Sequence, residues 1–447
     1  MAAARYAPPP RSGGPFASLQ HVQFRWVYAS NIAFFFAMNG QFVVRSYLAF
    51  KLTDSAFALG IVNLAVAIPL LFISPFGGVV ADRVEKKRLI MVGQAMLLLN
   101  ELIVLVLLVT GRLEFWHLLL VVFGMGCLFP FIMPARQAIV ANIVGRQGLG
   151  NAMALQMGGM NAARVVGPVT AGLVIAVAGV RWVYVFAVVL YLVALLAMSR
   201  IDRAYPSTEG VKKSVLGDLL EGVRYVRDDA PVRTLLGLSL VPIMLAMPFQ
   251  ALLVVFAEDV WDVGSTGLGF LQAAAGVGGI LGSIFIAFRG ETPRKLRLMM
   301  ISLFAFCGSL FLFALSPWFL LALPLVLIAD IFASAFNTVV GTTIQVLIPD
   351  AVRGRVMSLM MMTFGLTPLG TVPVSAAAQA WGAPVAVAGA AALTVVIGVA
   401  IYLFSGSLRG IDKASADALR DEAETSAGHP PGAPRPGSPA VSGSSSS

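Results

Sequence analysis

Charge is scarce in this chain. Asp, Glu, Lys and Arg together make up 12% of its 447 residues, while 58% are apolar. An ordinary soluble domain carries about 25% charged residues. So little polar material cannot cover the surface of a water-soluble monomer, which excludes a soluble globular protein and leaves lipid as the solvent. Cysteine is almost missing as well. Cys127 and Cys307 lie inside apolar runs, where a thiol packs as a small apolar side chain, and no disulfide framework is implied. Histidine is confined to His21, His117 and His429. With no His-Glu-x-x-His, no Gly-x-Ser-x-Gly turn and no Gly-Lys-Ser/Thr phosphate loop, the signatures of a zinc hydrolase, a serine hydrolase and an ATP-driven pump are all absent. The chain is expected not to be an enzyme and to need no cofactor or metal.

The formal net charge is +9, yet Lys and Arg fall between apolar runs and are not gathered on one face among aromatic or polar readers. A nucleic-acid partner is therefore not expected. Residues 1–24 contain Pro8, Pro9, Pro10 and Pro15 but no apolar core or small-residue cleavage site, so they read as a disordered cytoplasmic arm and not as a removable signal. Residues 406–447 turn polar from about Asp412 and then become rich in Pro, Gly, Ala and Ser, a composition that reads as a second disordered arm.

What the chain has in abundance is long apolar runs. About 20 such residues cross a bilayer core as a helix. Runs of that length fall at roughly 26–50, 57–80, 89–110, 115–135, 151–178 and 180–199, and again at 234–257, 266–288, 298–315, 318–342, 357–380 and 384–405. The expected fold is an all-α membrane protein of twelve transmembrane helices in two six-helix, pseudo-symmetric bundles, 25–199 and 234–405. Residues 200–233 join them as a cytoplasmic linker. There Val215, Leu216, Leu219, Leu220, Val223 and Val226 recur at helical spacing against Asp218, Glu221, Arg224 and Arg227, which predicts an amphipathic helix at the membrane interface; a solvated linker with one helical stretch is the alternative.

Lys and Arg accumulate on the cytoplasmic side of membrane proteins. With the amino terminus inside, the basic residues fall on that side except Arg45, Lys51, Arg112 and Arg181 outside and Arg164 within a run. Both termini are thus expected in the cytoplasm. Six spans, a long link and six more spans is the layout of transporters built from two parallel halves. A weak internal match supports it: Gln137 to Arg146 after the fourth run and Gln345 to Arg353 after the tenth both start at Gln, place Asn or Asp five positions on and end basic.

Between the second and third runs lies Gly78-Val-Val-Ala-Asp82-Arg83-Val-Glu85-Lys86-Lys87-Arg88. It resembles the signature of the major facilitator superfamily, departing from it at Glu85, where a second Gly is usual. Gly167-Pro168-Val-Thr-Ala-Gly172 is similar to the Gly-Pro pattern of antiporter branches, with Ala163 and Ala171 where Gly is usual. Met133 to Gln137, Val165 to Pro168, Leu220 to Arg227, Gly267 to Leu271 with Gly276 to Gly278, and Gln345 to Ser358 resemble the enterobactin exporter and macrolide efflux branch, the transmembrane secretion effector group, across residues 25–405. The resemblance implies the major facilitator fold. It also implies a cytoplasmic latch in which Asp82, with Gly78, Arg83 and Arg88, meets the start of the eleventh helix at Arg353 and Arg355. It implies a kink motif at Arg164, Gly167, Pro168 and Gly172, and a central cavity lined by the first, fourth, seventh and tenth helices.

Ionisable groups inside a membrane cost about 2.5–3.5 kcal/mol on insertion scales and are functional candidates by default. Asp330, near mid-depth on a cavity-lining helix, is the leading candidate for a proton-coupling carboxylate, with a structural hydrogen-bonding role as the alternative. Glu101 is a second candidate, equally suited to pairing within the first half. Arg45 lies toward the outer end of its helix, able to meet an anionic cargo group, to gate the outer mouth or simply to snorkel. Arg164 is placed to partner Glu101 or the kink. Candidate cavity residues are Asn39, Gln41, Arg45, Phe129, Met133, Met247, Phe249, Gln250, Asp330 and Asn337, an adaptable Met- and aromatic-rich wall. The expected function is secondary active transport by alternating access: a proton-coupled efflux antiporter for a small amphipathic drug or siderophore, acting as a monomer in the bacterial plasma membrane. An uptake carrier or facilitator, and a non-transporting receptor or partner subunit, are the alternatives.

Overall fold

In lipid every backbone N–H and C=O must be satisfied within the protein, and the described residues meet that demand with helices alone. The computed structural model describes residues 16–417, except 203–214, 290–293, 350–351, 353–354, 357–358, 361–362 and 364–365; within helices the side chains of 75–79, 81–83, 146–147 and 215–220 also fall outside the description.

The first six spans are Val22–Thr53, Ala56–Arg83, Lys86–Val109, Phe115–Gly145, Gly148–Ala178 and Val180–Ser199. The seventh to tenth are Ala230–Val260, Gly264–Arg289, Lys295–Ala314 and Phe319–Leu347, and the twelfth is Ala383–Phe404. Among the described residues, eleven helices are long and apolar enough to cross a membrane. The remaining expected crossing, the eleventh at 357–380, is represented by Thr367–Trp381, its earlier half being only partly described. We number the spans one to twelve in chain order, so that this helix is the eleventh span.

Backbone geometry at the turns exposes the internal repeat. Among the described residues, Asp54, between the first and second spans, and Asp262, between the seventh and eighth, are the non-glycine residues with positive φ, at 50° and 51°. Gly179, between the fifth and sixth spans, and Gly382, between the eleventh and twelfth, have φ of 89° and 87°, a region costly for any residue with a Cβ. Equivalent turns of the two halves thus use the same residue type in the same conformation.

Two spans depart from straight helices. The fourth and fifth are continuous except at Gly145, which breaks the helix with φ 66° and ψ −178°. The fourth span therefore runs ten residues beyond the end expected at 135, passing through Pro130 and Pro134 and carrying Arg136 into the bundle. In the seventh span Pro242 has no N–H to give, the helix ends at Leu245, and Ala246 and Met247 bond back to the Pro242 carbonyl before helix resumes at Phe249.

Both expected arms are shorter than the sequence suggests. Ala17–Gln20 forms a 3-10 turn, with the Ser18 N–H donating to Asn151 Oδ1 at 2.9 Å, and the first span starts at Val22. At the other end Leu408 and Ile411 are fully buried, and the Asp412 carboxylate accepts from the Leu296 N–H at 2.9 Å. Asp412 thus satisfies one of the free N–H groups that open the ninth span. The amphipathic helix occurs at Val215–Asp228, and Asp229 caps the seventh span by accepting from the Val232 N–H at 2.9 Å.

The two halves meet, among the described residues, mainly toward the end of the bundle remote from the termini. The second span packs on the eleventh, where a Cβ at Gly60 would lie 3.1 Å from Ser375 and Val372. The fifth packs on the eighth, where a Cβ at Gly172 would lie 2.5 Å from the Ser265 carbonyl and one at Gly269 2.9 Å from the Pro168 carbonyl. Such close backbone approach is the usual reason for glycine between membrane helices.

Candidate functional site

Among the described residues, each half of the bundle holds a buried carboxylate, Glu101 in the first and Asp330 in the second. In the first half Arg45 Nη2 donates to Glu101 Oε1 at 2.6 Å, joining the first and third spans. The Glu101 side chain is 0% exposed and that of Arg45 is 7% exposed. At 1.5 Å per residue, both lie about 12 Å from the remote end of their helices. Tyr184 and Tyr191 of the sixth span face the pair closely enough to feel both charges. Arg45 therefore does not snorkel, and the partner of Glu101 is Arg45, not Arg164.

Arg45 forms part of the wall of a cavity of about 250 Å³. Met38, Asn39, Phe42 and Ser46 line it from the first span, Asn63 and Val66 from the second, and Met125 and Phe129 from the fourth. Of the expected cavity residues, Asn39, Arg45 and Phe129 are here. Gln41, one residue round the helix, instead lines a small cleft with Gly167 and Ala171. Met133 packs into the apolar cluster around Phe34 and Tyr191.

In the second half Asp330, on the tenth span, is 4% exposed, about 17 Å from the remote end of its helix at 1.5 Å per residue. Gln250 Nε2 of the seventh span donates to its Oδ1 at 3.3 Å. Its Oδ2 is buried without a hydrogen-bond partner among the described residues. The eighth span lies against it because Gly278 has no side chain: a Cβ there would sit 2.9 Å from Asp330 Cβ. The Arg164 guanidinium reaches over from the fifth span to Gly279, where a Cβ would lie 3.4 Å from Nη1, and its positive charge acts on Asp330. Arg164, Pro168 and Gly172 thus stand along the interface with the eighth span, while Gly167 packs on the first, where a Cβ would lie 3.2 Å from Asn39 Cβ and the Phe36 carbonyl. Asn337 spends an amide hydrogen on the Ala333 carbonyl at 3.0 Å. Met247 packs on the apolar core, and Phe249 is 1% exposed against Phe313, so neither stands beside Asp330 as an open wall.

The latch falls largely outside the described residues: the side chains of Gly78, Asp82 and Arg83, and Arg353 altogether. Arg88 is exposed. Arg355 is described, and its Nη1 donates to Glu221 Oε1 of the amphipathic helix at 2.5 Å, while a Cβ at Gly222 would lie 3.3 Å from the Arg355 backbone. The linker helix is therefore docked on the start of the eleventh span.

Sequence reasoning missed two charged features. Arg136, 1% exposed, donates to Asn31 Oδ1 and stacks 3.9 Å above the Phe34 ring. At the remote end Lys51 Nζ meets Glu258 Oε2 at 2.5 Å, linking the first span to the seventh. Ser55 and Gln379 add a hydrogen bond of 2.9 Å between the second and eleventh spans there, and Ser265 donates to the Gly172 carbonyl at 3.2 Å.

Residues 13–426 match the family described as transmembrane secretion effector. The chain belongs to that family. Among curated relatives, the multidrug efflux pump Tap of Mycolicibacterium fortuitum is 26% identical over 390 residues, 85% of this chain and 95% of the pump. The enterobactin exporter EntS of Shigella boydii is 27% identical over 293 residues, 63% of this chain and 67% of the exporter. Among solved structures, the nucleoside transporter NupG superposes with a TM-score of 0.72 at 14% identity, covering 85% of this chain and 98% of NupG. A bacterial homologue of the lysosomal transporter Spinster, titled as inward-facing and unoccupied, gives 0.67 at 15% identity, covering 92% of this chain and 99% of the homologue. The fold of this transmembrane secretion effector is that of the major facilitator transporters. It is a multi-pass membrane transporter of a small molecule, and not an enzyme.

Proposed function

We propose that the chain is a proton-coupled exporter of a small amphipathic compound, working by alternating access, with Asp330 as the carboxylate that carries the proton. The observation on which this rests is the Asp330 site itself. A carboxylate buried at mid-depth with one long hydrogen bond and an unpartnered oxygen has an incentive to take up a proton. It lies on one half, and an opposing charge that acts on it, Arg164, lies on the other, so rocking of the halves changes its electrostatic surroundings. Export as the direction is supported by the names of the relatives, a multidrug efflux pump and an enterobactin exporter, and drugs or siderophores are the corresponding cargo class.

The proposal includes a bacterial plasma membrane with both termini in the cytoplasm, as the Lys and Arg distribution favours. The contacts at Lys51, Ser55 and Gly172 then close the outer side, and the cavity is served from the cytoplasm. Unlatching at Asp82 and the start of the eleventh span belongs to the same reading. The test is flux in proteoliposomes with an imposed pH gradient, across a panel of siderophores and hydrophobic drugs. Asp330→Asn is expected to abolish gradient-driven flux while leaving insertion intact; full gradient-driven flux in that variant refutes the assignment.

A further inference from the structure

The cavity beside Arg45 has a chemistry of its own. Among the described residues, its lining contains one charged side chain, the Arg45 guanidinium, and no carboxylate. That guanidinium is already neutralised from behind by Glu101 at 2.6 Å, and Glu101 does not reach the lining. The other polar groups have spent donors on their own helices. Asn39 Nδ2 donates to the Phe35 carbonyl at 2.7 Å, Asn63 Nδ2 to the Leu59 carbonyl at 2.8 Å, and Ser46 Oγ to the Phe42 carbonyl at 3.1 Å. Each such bond leaves the side-chain oxygen with lone pairs to offer.

These facts discriminate among cargo charges. A cation entering the cavity meets Arg45 and finds no carboxylate among the described residues of the wall. An anion adds a net negative charge to a site whose positive charge is already balanced, among apolar neighbours such as Phe42, Val66 and Phe129, where an uncompensated charge is costly. A hydroxyl group both donates and accepts, so it can donate to the Asn39, Asn63 or Ser46 oxygens and accept from the remaining Arg45 N–H groups. We infer that the cavity selects an uncharged, hydroxyl-bearing amphipathic molecule, with Arg45 acting as a hydrogen-bond donor held neutral by Glu101 and not as a receptor for anions. The volume, about 250 Å³, lies just below the usual range of ligand pockets, about 300 to 1,000 Å³. It suits a cargo of one ring and one polar head, or that portion of a larger one.

The inference deepens the export reading and rests on its premise that this cavity holds cargo. Binding is therefore measured without flux, on the full-length protein in lipid nanodiscs, by titration calorimetry with three probes of one shape: phenyl β-D-glucopyranoside, phenyl β-D-glucuronide, and the 6-amino-6-deoxy analogue of the glucoside. They differ only in a neutral, anionic or cationic group at one position. The glucoside is expected to bind more tightly than either charged probe by roughly ten-fold or more, and Asn39→Leu or Asn63→Leu to weaken it by about two- to ten-fold, the worth of one hydrogen bond. Glu101→Gln leaves Arg45 unbalanced and is expected to reverse the order, favouring the glucuronide. Should that variant not fold, the double variant Arg45→Met with Glu101→Leu serves: it is expected to go on rejecting both charged probes and to lose affinity for the glucoside. Equal or tighter binding of a charged probe by the unaltered protein overturns the inference, as does an unchanged probe order in folded Glu101→Gln, or no binding of any probe. Selective glucoside binding without gradient-driven flux overturns the export reading and leaves this assignment standing.

Discussion

Breaking the Arg45–Glu101 pair from either side has different consequences, and the difference follows from burial. Removing one partner of a buried ion pair costs about 3–5 kcal/mol, whereas replacing both by apolar residues is often neutral or stabilising by about 1–4 kcal/mol. Glu101→Leu leaves a guanidinium that touches the cavity at 7% exposure, where water can reach it; the cost is expected at the lower end, about 3 kcal/mol. Arg45→Met leaves a carboxylate at 0% exposure, with the expected cost at the upper end, about 5 kcal/mol if it stays ionised. A carboxyl group has an escape that a guanidinium lacks. Starting from an ordinary Glu value of about 4.3, holding it protonated costs about 3.7 kcal/mol at pH 7 and about 1 kcal/mol at pH 5. The Arg45→Met penalty is therefore capped near 3.7 kcal/mol at pH 7 and shrinks by more than half at pH 5, while the Glu101→Leu penalty is unchanged. The assay is equilibrium unfolding in mixed micelles with a rising fraction of dodecyl sulfate, at both pH values, for the two single variants and the double Arg45→Met, Glu101→Leu. A double variant as unstable as the sum of the singles, or an Arg45→Met penalty indifferent to pH, refutes the reasoning.

The same structure sets two further expectations. Gly172→Leu places a side chain where a Cβ already lies 2.5 Å from the Ser265 carbonyl, a backbone atom that cannot swing aside; the fifth and eighth spans are expected to part at the remote end, seen as several-fold faster labelling of Ser55→Cys by an impermeant maleimide, with unchanged labelling as the contrary result. Asp412→Ala removes the acceptor for the Leu296 N–H and is expected to cost about 0.5–2 kcal/mol, the usual worth of a lost cap, measured in the micelle titration.

Much of the fold was legible because a bilayer enforces a simple code: runs of about 20 apolar residues must be helices. The repeat was only faintly legible in the Gln137 and Gln345 segments, and its clearer marks, Asp54 with Asp262 and Gly179 with Gly382, are conformational. The site was legible residue by residue and not as a constellation. Arg45 and Glu101 were both singled out, but a separation of 56 positions carries no pairing signal in one sequence. Arg136 was lost because the fourth apolar run was ended at 135, one residue short of it, whereas the helix continues to Gly145 through Pro130 and Pro134, as neighbouring helices allow in a membrane bundle. Asp412 read as the onset of a polar tail; it is polar in order to meet a buried N–H, and the apolar signal beside it, Leu408 and Ile411, was too short to register.

Rigid-body motion distinguishes the two carboxylates that stood as coupling candidates. Glu101 and its partner Arg45 both belong to the first half, on spans that pack on one another's neighbours, so on the proposed mechanism they travel together and their separation is the same in every state. A proton bound there gains nothing from the rocking of the halves. Asp330 belongs to the second half and Arg164 to the first, meeting across the glycines at 276, 278 and 279 of the eighth span. Any opening along that seam changes the distance between a buried carboxylate and an exposed guanidinium, and with it their interaction energy. On the proposed mechanism, then, Asp330 is the group whose proton affinity is tied to conformation, and Glu101 balances the charge of Arg45.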